Sequence, residues 1–290
     1  MRPLVIKPFP LRPHAKVVLL LCSVLLISSC SSTKFVYNRL DFFLPWYLGR
    51  YVDLDREQSR SLDRELVGLL AWHREEELPT YLDLLASAEA ELETTISVET
   101  LDRLVRDFET AWYRVRDRGL DALLLLGDEL SNEQLDQFVQ KIKKQQQKYE
   151  RKYLKRNDEE FRKDAYENLK DTLSDYLGRL DKSQRAVILA AVSDLVRSDQ
   201  YWLAERMAWI EFIENELKRE PGWQERVRNT VIDWEEQLDP KALAIYESNT
   251  LRVQQAAVEI LNSRTDKQDR RLRRELQKLK DDVVDLTAPR

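Results

Sequence analysis

Residues 131–176, SNEQLDQFVQKIKKQQQKYERKYLKRNDEEFRKDAYENLKDTLSDY, contain neither glycine nor proline. Without those two breakers the stretch favours unbroken α-helix. Apolar residues recur in it at Leu135, Phe138, Ile142, Tyr149 and Tyr153, then at Phe161, Ala165, Leu169, Leu173 and Tyr176. Steps of three, four and seven residues put such positions on one helical face. As a single helix the stretch would reach about 70 Å at 1.5 Å per residue. Asn157-Asp158 offers one place to break it, and Gly178 ends it.

The same period extends in both directions. Leu62, Leu66, Leu69, Leu70 and His73 share a face after Asp55, and Pro79 interrupts that pattern before a short helix. From Ser97, residues Leu101, Leu104, Val105, Phe108, Trp112 and Val115 form a stripe, with Gly119 and Gly127 weakening its far end. Further helices are expected over 181–197, 199–219, 221–237, 239–262 and 266–286. The last places Leu272, Leu276, Leu279 and Val283 on one seam of the coiled-coil kind. No segment alternates apolar and polar residues long enough to argue a strand. Charged residues make up 34% of the chain, against six glycines and nine prolines in 290 residues, as long helices require. The expected fold is all-α: an elongated bundle of about eight or nine helices. Its helical domain is residues 53–290, with 131–177 as one long central helix between two sub-bundles if the domain divides.

The N-terminus gives an address. Arg2, Lys7, Arg12 and Lys16 precede an almost purely apolar run from Val17 to Ile27, with no acidic residue among them. A basic region followed by a short apolar one is the pattern of a secretory leader. The run makes about 16 Å of helix, too short for a hydrocarbon core of about 30 Å. Ile27-Ser28-Ser29-Cys30 resembles the lipobox of bacterial lipoproteins. The resemblance implies that residues 1–29 are removed and that Cys30 becomes an acylated first residue. The absence of an aspartate after the cysteine implies sorting to the outer membrane, facing the periplasm. Several acyl chains hold far more firmly than one, at about 0.8 kcal/mol per buried methylene. Cys22 is lost with the leader, so the processed chain has no disulfide.

Residues 30–52 follow as the most apolar stretch of the processed chain, with Phe35, Tyr37, Phe42, Phe43, Trp46 and Tyr47. Trp and Tyr favour the membrane–water boundary, and the same residues also suit a piece packed into the core. Both assignments are open from sequence.

A short phrase recurs: Leu54-Asp55-Arg56-Glu57-Gln58, Leu130-Ser131-Asn132-Glu133-Gln134 and Leu180-Asp181-Lys182-Ser183-Gln184, with looser copies from Ile96-Ser97 and Leu238-Asp239. Asp or Ser at a helix N-cap accepts from a free amide, and Gln three residues on answers the cap's own amide. The unequal spacing argues against a solenoid. The phrase resembles the LTxxQ motif of small periplasmic chaperones related to spheroplast protein Y, which implies a tethered chaperone as an alternative function. A longer resemblance runs through Cys30-Ser-Ser-Thr-Lys-Phe-Val-Tyr-Asn-Arg-Leu-Asp41, Pro45-Trp46-Tyr47-Leu48, Tyr51-Val-Asp53, Leu70-Ala-Trp-His-Arg-Glu75, Glu77-Leu-Pro79 and Leu177-Gly-Arg-Leu180. These residues resemble proteobacterial lipoproteins with domain of unknown function 6279, which implies an anchored helical protein and no particular site.

Little points to catalysis. His73 and Glu77 have the spacing of a metal half-site, but the processed chain has no second histidine and no other cysteine. His73 and Arg74 are expected in the last turn of a helix, where positive charge suits the dipole. No serine sits in a nucleophile elbow, and no phosphate loop or dinucleotide fingerprint occurs. The expectation is a protein that is not an enzyme, with no cofactor and no metal. Charge is more informative. The chain is acidic overall, at −5, yet eight basic residues and one acid lie between Lys141 and Arg156. Among them Lys141, Lys144, Lys148, Arg151, Lys152 and Lys155 are the candidate contacts for an anionic partner. Otherwise they form a solvated face paired with nearby acidic helices. Tyr149 and Tyr153 interleave with them and offer stacking. A second basic stretch runs from Arg264 to Lys280. Expected partners are the membrane, through the acyl chains, and an envelope component or protein; nucleic acid does not suit a periplasmic address.

Overall fold

The computed structural model describes residues 32–288 and is helical, with no strand among them. The helices are α1 (Ser32–Tyr37), α2 (Leu40–Leu48), α3 (Arg56–Trp72), α4 (Leu78–Ala90), α5 (Val98–Glu129) and α6 (Asn132–Tyr153). They continue with α7 (Asp158–Leu177), α8 (Lys182–Ser193), α9 (Asp199–Glu216), α10 (Trp223–Ile232), α11 (Pro240–Asn262) and α12 (Asp266–Thr287). A π turn, His73–Glu77, joins α3 to α4 in one continuous rod, so the described residues hold eleven separate α-helices where eight or nine were expected. The difference has three sources. α1 and α2 fill the aromatic segment, the rod runs past Pro79, and the 131–177 helix is broken. Cys30 and the leader lie outside the described residues.

The break has a local cause. α6 ends with Arg151 and Lys152 in its last turn, while α7 opens with Asp158, Glu159 and Glu160. Each suits the dipole of its own helix end, so two helices are favoured over one. Asn157 completes the break with a capping box, accepting from the Glu160 amide while the Glu160 side chain accepts from its own. The longest purely α-helical run among the described residues is instead α5, which passes through both Gly119 and Gly127. Gly127 admits a neighbour: a Cβ there would stand 2.8 Å from the Trp223 ring of α10.

The largest core cluster joins α7, α8, α11 and α12 around Phe161, Leu169, Ile188, Val192 and Ile260. A second holds Val52, Leu62, Leu66, Leu126, Leu130 and Leu135 where α3, α5 and the start of α6 meet. A third packs α4 on α12 through Leu78, Tyr81, Val283 and Leu286. Each such side chain contributes about 1.5–3 kcal/mol when fully buried.

The recurring phrase acts twice in tertiary structure. Asp55, Ser131 and Asp181 each cap a helix with the expected box. Thr265 forms a fourth glutamine-closed box with Gln268, unseen in sequence because Arg264 stands where the other copies have leucine. The box glutamines then pair across helices. The Gln58 amide donates to Gln134 at 2.9 Å and receives at 2.7 Å. The Gln184 amide donates to Gln268 at 3.1 Å and receives at 2.8 Å. In each pair an aspartate-capped helix start is pinned beside the turn that joins two consecutive helices, α5 and α6 in one case and α11 and α12 in the other. A Gln268→Leu change strands the Gln184 amide, which is 1% exposed. It is expected to cost about 2 kcal/mol in urea unfolding, the penalty of a buried donor without an acceptor.

Candidate interaction surface

The basic stretch lies on α6 and the turn that follows it. At 100° per residue, Leu135, Val139, Gln146 and Tyr153 fall on one side of α6, and all four are buried. Lys141, Lys144, Lys148, Arg151 and Lys152 fall on the opposite side, and Lys155 continues their line. Five of the six are exposed, while Lys141 is half-buried. None makes an ion pair with a carboxylate among the described residues. Arg151 donates to the Gln147 carbonyl at 3.2 Å, and the Lys152 ammonium lies 4.9 Å from the Tyr153 ring centre.

The other two cations of the stretch are used internally. Lys143 points off the stripe and bridges to Glu214 of α9 at 2.6 Å. Arg156 turns inward at the α6–α7 corner, where Asp199 accepts from its Nη2 at 2.6 Å and from its Nε at 2.9 Å. Burial alone would lower the Arg156 pKa, but the hydrogen bonds to Asp199 and Asp164 raise it above the ordinary value. Arg197 donates to Asp199 as well, and to the carbonyls of Tyr153 and Leu154, closing the end of α6. Tyr149 and Tyr153 are not free to stack on a ligand. Both meet Trp202 of α9 edge-on, at 6.0 and 5.5 Å, and burial pushes the Tyr153 hydroxyl up to about 12.

The second basic stretch is largely spent inside the protein. Arg264 and Arg273 both bridge to Asp269, Arg273 also reaches Glu93, Lys278 pairs with Glu275, and Lys280 pairs with Glu89 of α4. The α6 stripe therefore differs in kind from the α12 cations, although the two read alike in sequence.

His73 is placed differently from its expected helix end. Pro79 has no amide to donate back up the helix, and the rod absorbs this by widening one turn, with the Leu78 amide bonding five residues back to His73. The His73 ring sits between two phenols, Nδ1 at 2.9 Å from Tyr37 Oη of α1 and Nε2 at 3.1 Å from Tyr81 Oη of α4. Burial lowers its pKa to about 4, so it is neutral where a charged helix end was expected. Glu77 turns to Arg114 of α5 in a two-pronged bridge at 2.6 and 2.8 Å. The cluster fastens α1 to the body of the protein.

No helix of the described residues is long and apolar enough to cross a membrane. No curated protein and no solved structure matches the chain. Residues 50–244, which include the whole of α3 to α10 and hence the α6 stripe, match the family model described as a family of unknown function (DUF6279), and the chain belongs to that family.

Proposed function

We propose that this chain is a non-catalytic protein held through acylated Cys30 on the periplasmic face of the outer membrane. It works by contact, with the α6 cation stripe as its contact surface. The observation behind this is the row of Lys141, Lys144, Lys148, Arg151, Lys152 and Lys155, opposite a buried face and unpaired within an acidic chain. Like charges held along one helix repel one another, so a complementary anionic surface lowers the energy of the array. Its neighbours Lys143 and Arg156 show that carboxylates are within reach of this helix where structure needs them.

The anchor and the stripe are tested separately. Mass spectrometry of the protein isolated from envelopes should find Cys30 at the N-terminus bearing acyl chains; an unmodified, soluble chain would contradict the anchor. Envelope contacts should weaken as salt rises, since exposed charges are screened within about 10 Å at 0.1 M. Changing Lys144, Arg151 and Lys155 together to Glu should remove those contacts while the melting temperature stays unchanged. Contacts that survive the triple change would overturn the assignment of the stripe.

A further inference from the structure

A second exposed surface borders the stripe. α2 buries none of its residues, and Phe42, Trp46 and Tyr47 are 61%, 57% and 52% exposed. Phe42 and Trp46 are four apart, so they share a face. The Arg50 guanidinium lies 5.7 Å from the Trp46 ring and 6.0 Å from that of Tyr47. α2 is nevertheless docked. Leu48 packs on the core shared by α3, α5 and α6, and Tyr47 Oη stands 3.2 Å from Tyr51 Oη. The Tyr51 ring in turn lies 6.4 Å from Phe138 of α6. Lys141 follows Phe138 by three residues. Residues three apart are surface neighbours on a helix, so the C-terminal end of α2, through Tyr47 and Tyr51, reaches the stripe at Lys141.

We infer that α2 and the near edge of α6 form one docking face for an anionic phospholipid bilayer. Phe42 and Trp46 enter the headgroup layer, and Lys141, Lys148 and Lys152 lie over lipid phosphates. This rests on the proposal that the stripe takes an anionic partner, and it names that partner. Two features favour lipid over an acidic protein. Aromatic rings beside cations match the two chemistries of a membrane surface, a buried apolar rim and a phosphate layer. The tether is also short: Leu40 is ten residues from Cys30 and cannot stand more than about 35 Å from it. With Cys30 acylated as proposed above, α2 is held within that distance of the headgroups.

The test uses the full chain, reconstituted into phosphatidylcholine vesicles with and without phosphatidylglycerol, and with brominated acyl chains as quencher. The Trp46 signal is the difference between wild type and Trp46→Phe. It should be quenched in vesicles containing phosphatidylglycerol and much less in those without. Changing Lys141, Lys148 and Lys152 together to Gln, with helicity unchanged, should lower the ratio of docked to undocked chains about a hundredfold. The corresponding triple Glu variant should lower it further. An unquenched Trp46 in both kinds of vesicle overturns the inference. So does quenching that ignores both lipid charge and the lysine changes, since it would separate α2 from the stripe. If Trp46 is unquenched but the Lys144, Arg151 and Lys155 reversal still removes envelope contacts, the bilayer assignment alone falls and the stripe's partner is an acidic protein.

Discussion

Asp199→Ala is expected to destabilise the protein by about 3 kcal/mol, toward the lower end of what breaking a buried ion pair costs. The Asp199 side chain is 2% exposed and holds both Arg156 and Arg197. Without it two guanidinium groups share the corner, and Arg156 keeps only Asp164, at 2.9 Å and 47% exposed, as its carboxylate. That remaining partner keeps the cost from reaching about 5 kcal/mol. Arg197 also closes the C-terminal carbonyls of α6, so amide exchange should quicken first around Tyr153 and Leu154. For a protein of this size the expected fall in melting temperature is about 6–12 °C. Replacing Arg156 with Met and Asp199 with Leu together should recover part of the loss, because the more buried cation is then gone and Arg197, 28% exposed, keeps Asp158 at 3.8 Å. A loss below about 1 kcal/mol for Asp199→Ala would mean that water reaches the corner and screens it.

Acidification should unlock the His73 cluster. The folded pKa, about 4, lies below the ordinary imidazole value of 6.5. The unfolded chain therefore binds this proton first as pH falls. Stability from keeping His73 neutral is fully present above pH 6.5 and is lost progressively down to pH 4. The loss should reach about 2 kcal/mol between pH 7.5 and 5, and about 3 kcal/mol when complete. His73→Gln should flatten that slope in urea unfolding measured at both pH values, because Gln does not titrate. An unchanged slope would place the pH dependence on other groups. The Tyr37 hydroxyl bonds the ring, so loosening should appear early at α1, the first of the described helices.

Much of the fold was legible in the sequence for physical reasons. The 3.6-residue period and the scarcity of glycine and proline give helices, and N-cap signals give their starts. Asn157 with three acids after it marks the α6–α7 break, and the basic residues before it mark the end of α6. What escaped is tertiary. Gln58 and Gln134 read as two separate helix starts, and only the fold brings their amides together. The π turn leaves no period to count, so His73 was assigned to a helix end. Lys143 could have been separated from the stripe by helical angle alone, since it falls well off the line of Lys141, Lys144 and Lys148. Arg156 could not, because its inward turn depends on the break and on Asp199 from a distant helix. Nor does sequence tell an exposed aromatic helix from a core one. In α2 the outward turn of Phe42 and Trp46 is visible only once the core that Leu48 joins and those two rings do not has been built.

The central claim is that α6 works as a contact surface. It is tested most directly by placing a photocrosslinking residue at Gln147, one turn before Arg151 and exposed, in the full chain in intact envelopes. Wild type should yield crosslinked products, phospholipid adducts if the bilayer is the partner and discrete protein bands if an acidic protein is, and they should fade as salt rises. The same chain with Lys144, Arg151 and Lys155 changed to Glu should yield none, at equal abundance and equal melting temperature. Identical products from both chains would contradict the claim and leave the α6 cations as a solvated helix face.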